Sequence, residues 1–164
     1  MTLPAEAPQW LVLVLVALLL AAAIEDAIRL RISNLTCLAV LVAGLAAMWL
    51  AGPEFALWQN FVVFAALLAI GTPLFAAGKL GGGDIKLLAV TGLWFPIQGA
   101  VLMLAFVMIG GGILALALIA VRTFSWSDRA RETSKLLKRG GGIPYGVAIS
   151  AGSIVAVALA RGWG

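Results

Sequence analysis

Asp26 and Asp84 are the residues of this 164-residue chain whose type and position best suit chemistry. Asp26 directly follows an apolar stretch, and Asp84 opens another one after the glycines 81–83. A carboxylate in such a position is costly in a membrane and by default indicates function. Two carboxylates that folding brings together can share one proton, which leaves one as a base and the other as an acid. Such a pair can activate a water against a peptide carbonyl and protonate the leaving nitrogen.

Each aspartate also has a purely structural interpretation. Asp26 can pair with Arg29, three residues further along a helix end, in a modest surface interaction. Asp84 can cap the helix that follows the glycines, because Asp is favoured at that position. Lys86 does not offer a salt bridge to Asp84, since residues two apart on a helix do not face each other. For each aspartate taken singly, both interpretations stay open.

Glycine runs occur at two places in the chain. Gly81, Gly82 and Gly83 allow close approach of another chain and positive φ values, so they can form a docking edge for an extended substrate or a plain turn. They do not form a phosphate loop, because no Gly-Lys-Ser or Gly-Lys-Thr follows. The run at residues 110–112 lies inside an apolar stretch, where small residues predict close helix contact.

Composition indicates an integral membrane protein. The chain is 63% hydrophobic and 11% charged, whereas soluble domains are about half apolar and a quarter charged. The absence of histidine and the single Cys37 exclude four-ligand zinc sites, His-dependent triads and an intramolecular disulfide. We therefore expect no metal and no cofactor. The net charge of +4 lies in short runs between apolar segments, which favours anionic membrane lipids over nucleic acid as partners.

The apolar stretches predict an all-α protein with six transmembrane helices. Charge-free segments cover residues 7–24, 32–53, 55–78, 87–121 and 140–160. The fourth would extend about 50 Å as one helix, against a hydrocarbon core of about 30 Å, so it must fold back. Pro96 marks that turn, and Trp94 suits an interface. Asp84 lies ten residues before Trp94, about 15 Å of helix, so the fourth helix is expected to be short and Asp84 recessed.

The distribution of positive charge predicts the orientation of these helices. By the positive-inside rule, the first, third and fifth connections face the cytoplasm and both termini face outward. We expect one domain over residues 1–164, with a cytoplasmic loop at about 123–142 and both aspartates at the cytoplasmic face. Arg161 alone lies on the outer side, against ten cations inside: Arg29, Arg31, Lys79, Lys86, Arg122, Arg129, Arg131, Lys135, Lys138 and Arg139.

Three short motifs occur in order along the chain. Residues 26–34 read Asp-Ala-Ile-Arg-Leu-Arg-Ile-Ser-Asn, residues 81–88 read Gly-Gly-Gly-Asp-Ile-Lys-Leu-Leu, and residues 143–149 read Ile-Pro-Tyr-Gly-Val-Ala-Ile. The first motif resembles the prepilin peptidase pattern in which a catalytic Asp precedes Ile-Pro-Asn. The middle motif is similar to the GxGD motif of that family. The last motif resembles the segment that opens the last helix in short members serving tight-adherence (Flp) pili.

The resemblance implies a type IV prepilin leader peptidase, an aspartyl protease of the bacterial inner membrane. On this interpretation it cuts prepilin-like peptides after a small residue, commonly Gly, just before the pilin's apolar helix. Asp26 and Asp84 would be catalytic. The other motif positions, which would bind substrate or shape the site, are Gly81, Gly82, Gly83, Lys86, Asn34, Pro144, Tyr145 and Gly146.

The chain departs from the family pattern in two respects. Ser33 stands where the family usually has Pro, so the turn after the first span is expected to be less rigid. Longer members carry a cysteine-containing N-terminal region and methylate the new N-terminus. With Cys37 alone and six residues before Ala7, we expect peptidase activity without methyl transfer.

Other functions compete with this interpretation. A lipoprotein-type signal peptidase is also small, membranous and aspartyl, but it has four spans and its aspartates lie toward the outer face. A Ser/Lys peptidase would need a serine beside Lys79 or Lys86, and none lies there in sequence. A non-enzymatic membrane subunit or small transporter would use Asp26 and Asp84 to bind a proton or cation.

Overall fold

The computed structural model describes residues 2–52, 57–123 and 142–163, and these ranges contain helices and no strand. Residues 124–141, most of the loop predicted at about 123–142, lie outside the described residues. The helices are α1 (Leu3–Glu6), α2 (Gln9–Arg29), α3 (Asn34–Ala51), α4 (Trp58–Ala76), α5 (Gly82–Gly92), α6 (Ile97–Thr123) and α7 (Tyr145–Arg161).

Four of these helices, α2, α3, α4 and α6, are long and apolar enough to cross a membrane. The all-α membrane fold is therefore confirmed. Among the described residues the number of full spans is not exactly six: α7 has 17 residues, at the lower limit of the roughly 17 to 25 that a span uses, and α5 has only 11. The expected shortness of the fourth helix is confirmed, since 11 residues of α5 extend about 16 Å.

The fourth apolar stretch folds back at the predicted place. Helix α5 ends at Gly92 and α6 begins at Ile97, directly after Pro96. The backbone N–H of Trp94 donates to the Thr91 carbonyl at 3.0 Å and closes the turn. Because proline lacks an N–H and fixes its own φ, it is tolerated where α6 starts and not inside it.

Trp94, which the sequence suggested for an interface, is fully buried within the protein. Its indole N–H donates to the Val40 carbonyl at 3.5 Å. A Cβ on Gly44 would stand 3.0 Å from the indole nitrogen. Trp94 thus packs the α5–α6 turn against α3, which is a stable position for tryptophan when its N–H has a partner.

The two short helices lie inside the bundle. Helix α5 packs against α3, α4 and α7, and α7 packs against α2, α5 and α6. The long helices expose large apolar side chains to the surroundings, as lipid contact requires. The short helices therefore need not reach both membrane surfaces.

The two ends of the bundle carry different groups. The Leu3 N–H donates to the Trp94 carbonyl at 3.1 Å, and the Arg161 guanidinium donates to the Ala7 carbonyl. The N-terminal segment, the α5–α6 turn and the end of α7 therefore share one end. The end of α2 and the starts of α5 and α7 share the other.

The glycine run at residues 110–112 makes ordinary contact with α7, and a tighter contact between α6 and α7 lies at Gly152. A Cβ on Gly152 would stand 2.5 Å from the Val107 backbone nitrogen, whereas a Cβ on Gly111 would make ordinary contact with Ala148 at 3.6 Å and one on Gly112 would meet nothing within 4 Å. Small residues in membrane helices allow such close approach.

We expect Gly152→Ala to lower the stability of the bundle by about 1–3 kcal/mol, because the new methyl group meets backbone that cannot move aside locally. The measurement is the thermal unfolding midpoint in detergent. Gly112→Ala in α6 is the matched control. Its unfolding midpoint should equal that of the parent or lie slightly above it, because alanine favours the helix. Equal midpoints for Gly152→Ala and the parent would contradict the close α6–α7 contact.

Candidate active site

Asp26 lies in the last turn of α2 and is buried, with 4% of its surface exposed. The backbone N–H of Gly146 donates a hydrogen bond of 2.7 Å to its Oδ2. Gly146 belongs to the first turn of α7, whose N-cap is Pro144. A helix N-terminus stabilises a negative charge through its free N–H groups. The motif around Gly146 therefore acts on Asp26, 120 residues away in sequence.

Asp84 occupies the third position of α5, and Gly81 is the N-cap of that helix. The Asp84 carboxylate lies close to Gly81, because a Cβ on Gly81 would stand 2.7 Å from Asp84 Oδ2. Since Gly81 is the N-cap, the interpretation of Asp84 as the N-cap residue itself is wrong. The side chain of Asp84 therefore lies against the turn that precedes α5.

One cavity of about 370 Å³ has both Asp26 and Asp84 in its wall. The remaining lining residues come from the α2–α3 turn and the start of α5, namely Leu30, Arg31, Ile32, Gly81, Gly82 and Gly83. The structure therefore brings together two carboxylates that are 58 positions apart in sequence. A cavity of this volume has room for several waters, and carboxylates are among the groups that general acid–base chemistry uses.

The glycines before Asp84 allow neighbouring atoms to approach closely, but their backbone angles are ordinary. Among the described glycines, those with positive φ are Gly52, Gly78 and Gly162, so the positive φ expected within residues 81–83 is not found. A Cβ on Gly81 would stand 2.7 Å from Asp84 Oδ2, and one on Gly83 would stand 3.2 Å from the Ile32 carbonyl oxygen. Gly83 therefore lets the start of α5 approach the α2–α3 turn closely.

The remaining predicted site residues do not line the cavity that Asp26 and Asp84 share. The Lys86 ammonium donates to Asn34 Oδ1 at 2.9 Å, which joins α5 to the first residue of α3. This hydrogen bond is exposed. Tyr145 opens α7 and lines a second cavity, to which Asp84 also contributes. The functional roles of these residues stay predictions.

The second cavity has a volume of about 410 Å³ and a largely apolar wall built from α5, α6 and α7. Gly111 and Gly112 are part of this wall, so the glycine run of α6 makes room beside the cavity. Asp84 lines both cavities. It therefore stands between a polar space shared with Asp26 and an apolar space inside the bundle.

Glu25, which the sequence did not single out, holds the turn between α2 and α3. Its Oε2 accepts a hydrogen bond of 2.9 Å from the Ser33 backbone N–H. Its carboxylate also accepts from the Thr36 hydroxyl at 3.1 Å. Ser33 in turn caps α3, because its Oγ accepts from the Thr36 N–H at 3.1 Å. Proline at position 33 would lack both the N–H and the hydroxyl, so these hydrogen bonds depend on the serine.

A signal for this network was present in the sequence. Ser33 followed three residues later by Thr36 is a pattern suited to a helix N-terminus. The partner Glu25 was not predictable, because its contact depends on how α2 and α3 meet. Across residues 2–52, 57–123 and 142–163, no three side chains of the types His, Cys, Asp or Glu converge as a metal site would require.

Comparison with protein-family models gives one match, to a model described as the type IV leader peptidase family, over residues 13–116 of 164. This range covers more than half of the chain. It includes Asp26, Asn34 and the segment from Gly81 to Lys86, and it ends before Gly146. Comparison with curated proteins and with solved structures gives no match.

We expect Glu25→Ala to lower stability by about 1–2 kcal/mol, because it removes the acceptor for two part-buried donors. The measurement is a double-mutant cycle of thermal or denaturant unfolding with Ser33→Pro. The φ of Ser33, −72°, already suits proline, so this second change removes the hydrogen bonds without forcing the backbone.

In the Ser33→Pro background, Glu25→Ala should lower the free energy of unfolding by less than it does in the parent, because the N–H that Glu25 binds is already gone. Strictly additive effects of the two substitutions would contradict the network.

Proposed function

This chain belongs to the type IV leader peptidase family, and on that premise we propose that it is a membrane-embedded aspartyl endopeptidase that removes the leader peptides of type IV or Flp prepilins. The observation that carries the proposal is the common cavity of Asp26 and Asp84. The family match by itself supports only a leader peptidase in general. The dyad, the substrate and the membrane face are our proposals.

The proposed chemistry uses the two carboxylates as a coupled pair. With one proton between them, the ionised carboxylate takes a proton from water, and the oxygen of that water attacks the peptide carbonyl. The protonated carboxyl then delivers its proton to the leaving nitrogen as the C–N bond breaks. The Gly146 N–H on Asp26 Oδ2 keeps one oxygen of that carboxylate occupied, so the other is directed to the water.

The apolar cavity beside Asp84 supports a substrate with an apolar segment. Its wall comes from α5, α6 and α7 and includes Leu88, Leu104 and Met108. A peptide bond placed at Asp84 would have this apolar space on one side and the polar cavity on the other. A prepilin has a matching change in polarity, from its charged leader to its apolar helix.

Charge supports a cytoplasmic position for the site in the inner membrane. Arg29 and Arg31 follow Asp26 closely, and Lys79 and Lys86 flank Asp84. Arg161 lies at the opposite end of the bundle, beside Ala7. By the positive-inside rule, the end that holds the aspartates faces the cytoplasm. A charged prepilin leader would reach it from that side.

We expect Asp26→Asn and Asp84→Asn each to lower the rate of prepilin cleavage by at least about 10³-fold, because an amide neither accepts the proton of water nor donates an acid proton. The measurement is cleavage of a synthetic prepilin by purified protein in detergent or nanodiscs. Glu6→Gln is the matched control, since it removes an acid at the other end of the bundle, and it should cleave at the parental rate.

Both Asn variants should still insert and unfold cooperatively. Native-rate cleavage by Asp84→Asn would reject the dyad. An ion-binding subunit or transporter would show no cleavage by the parent itself.

We expect Gly81→Ala to lower kcat by about 10- to 100-fold, because small displacements of a reacting group are costly. The new Cβ would stand 2.7 Å from Asp84 Oδ2 and displace the carboxylate. The matched control is Gly82→Ala, whose Cβ would meet the ring of Phe75 at 3.3 Å, a side chain that can move. It should stay within about threefold of the parent, since it leaves the reacting groups in place. Equal losses for the two variants would argue against this placement of Asp84.

A further inference from the structure

We infer that Ile32 is a positioning residue that sets the separation of the Asp26 and Asp84 carboxylates. The inference rests on the proposed function for its kinetic consequence, but its geometric consequence can be measured without activity. Ile32 lies in the turn between α2 and α3 and lines the cavity that both aspartates share.

The side chain of Ile32 lies against two segments of the site: the one that holds Asp84 and the one that binds the Asp26 carboxylate. Its Cβ stands 3.2 Å from the position of a Cβ on Gly83, the residue before Asp84. Its Cδ1 stands 2.7 Å from the position of a Cβ on Gly146, the residue whose N–H binds Asp26. Ile32 thus fills the space between the start of α5 and the start of α7.

The backbone of Ile32 is held on both sides. After it, the Ser33 N–H is bound by Glu25 at 2.9 Å and Ser33 caps α3. Before it, Leu30 ends α2 in the left-handed conformation with φ 53°, and its N–H donates to the Asp26 carbonyl at 2.8 Å. A leucine in that conformation is uncommon and persists only where the surroundings determine it. These contacts therefore fix the position of the Ile32 backbone relative to the cavity.

The shape of isoleucine suits this role. Branching at Cβ restricts χ1, so the side chain is stiffer than that of an unbranched residue. It is partly buried and packs against the core cluster. The contact with Gly83 is also made by the Ile32 backbone, whose carbonyl oxygen stands 3.2 Å from the Cβ position of Gly83. A substitution at Ile32 therefore removes the spacer and leaves the backbone contact in place.

Truncation of this spacer should loosen the carboxylate pair. We expect Ile32→Ala to lower kcat for prepilin cleavage by about 10- to 100-fold with KM nearly unchanged, because misplacement of reacting groups acts on the chemical step. Ile32→Val retains the branch against Gly83 and should rescue most of the rate, to within about threefold of the parent. Leu15→Ala is the control for general loss of packing, since Leu15 is fully buried in α2 near the middle of the helix.

The geometric test uses paired cysteines and is independent of activity. In a Cys37→Ser background that keeps both aspartates and carries Arg29→Cys near the end of α2 and Lys86→Cys near the start of α5, a series of bifunctional thiol reagents of increasing length measures which spacings join the two helix ends. We expect a narrow range of lengths for the parent, a wider range with Ile32→Ala, and the parental range with Leu15→Ala.

The inference is overturned if Ile32→Ala leaves the range of lengths unchanged, or if Leu15→Ala loses kcat to the same extent. A parent that cleaves no prepilin, together with a range that widens in Ile32→Ala, would sink the proposed function and leave the positioning role of Ile32 standing. If the parent cleaves prepilin and Ile32→Ala leaves the range of reagent lengths unchanged, the proposed function stands and the positioning role of Ile32 is rejected.

Discussion

The hydrogen bond from the Gly146 N–H to Asp26 Oδ2, 2.7 Å long and buried, is the interaction on which the rest of the site depends. A buried carboxylate is destabilising unless hydrogen bonds or charges compensate for the lost water. The start of α7 provides that compensation, because helix N-termini present free N–H groups. The bond also joins the end of α2 to α7. Once this junction forms, the cavity wall on the Asp26 side is complete, and Asp84 needs only the short helix α5 to reach it.

The brevity of α5 follows from the same arrangement. A longer helix at this place would carry Asp84 away from Asp26. With 11 residues, α5 is short and is surrounded by α3, α4 and α7. Its buried face then packs against helices and not lipid. The long helices provide the membrane contact that α5 lacks, so the position of one carboxylate is set by the length of one helix.

Much of this arrangement was predictable from the residues, and the failures have physical causes. The turn at Pro96 and the shortness of α5 follow from length and from proline chemistry, which are local properties. The motifs containing Asp26, Asp84 and Gly146 also stand out along the chain. Burial of Trp94 was not predictable, because its amphipathic ring suits an interface and a core equally. Glu25 and Gly152 were missed for a related reason, since each acts through a contact with another helix that no local pattern reveals.

The partner of Asp26 comes from the last helix of the chain, and this has a consequence for biosynthesis. Ribosomes deliver α2 and α5 to the membrane first and α7 last, because domains and segments emerge in order from the N-terminus. Until residues 145–161 have inserted, the Asp26 carboxylate lacks its amide donor and the space around Ile32 is open on one side. The hydrogen bond between α2 and α7 therefore forms late in synthesis, after the helices that carry both aspartates have already been made.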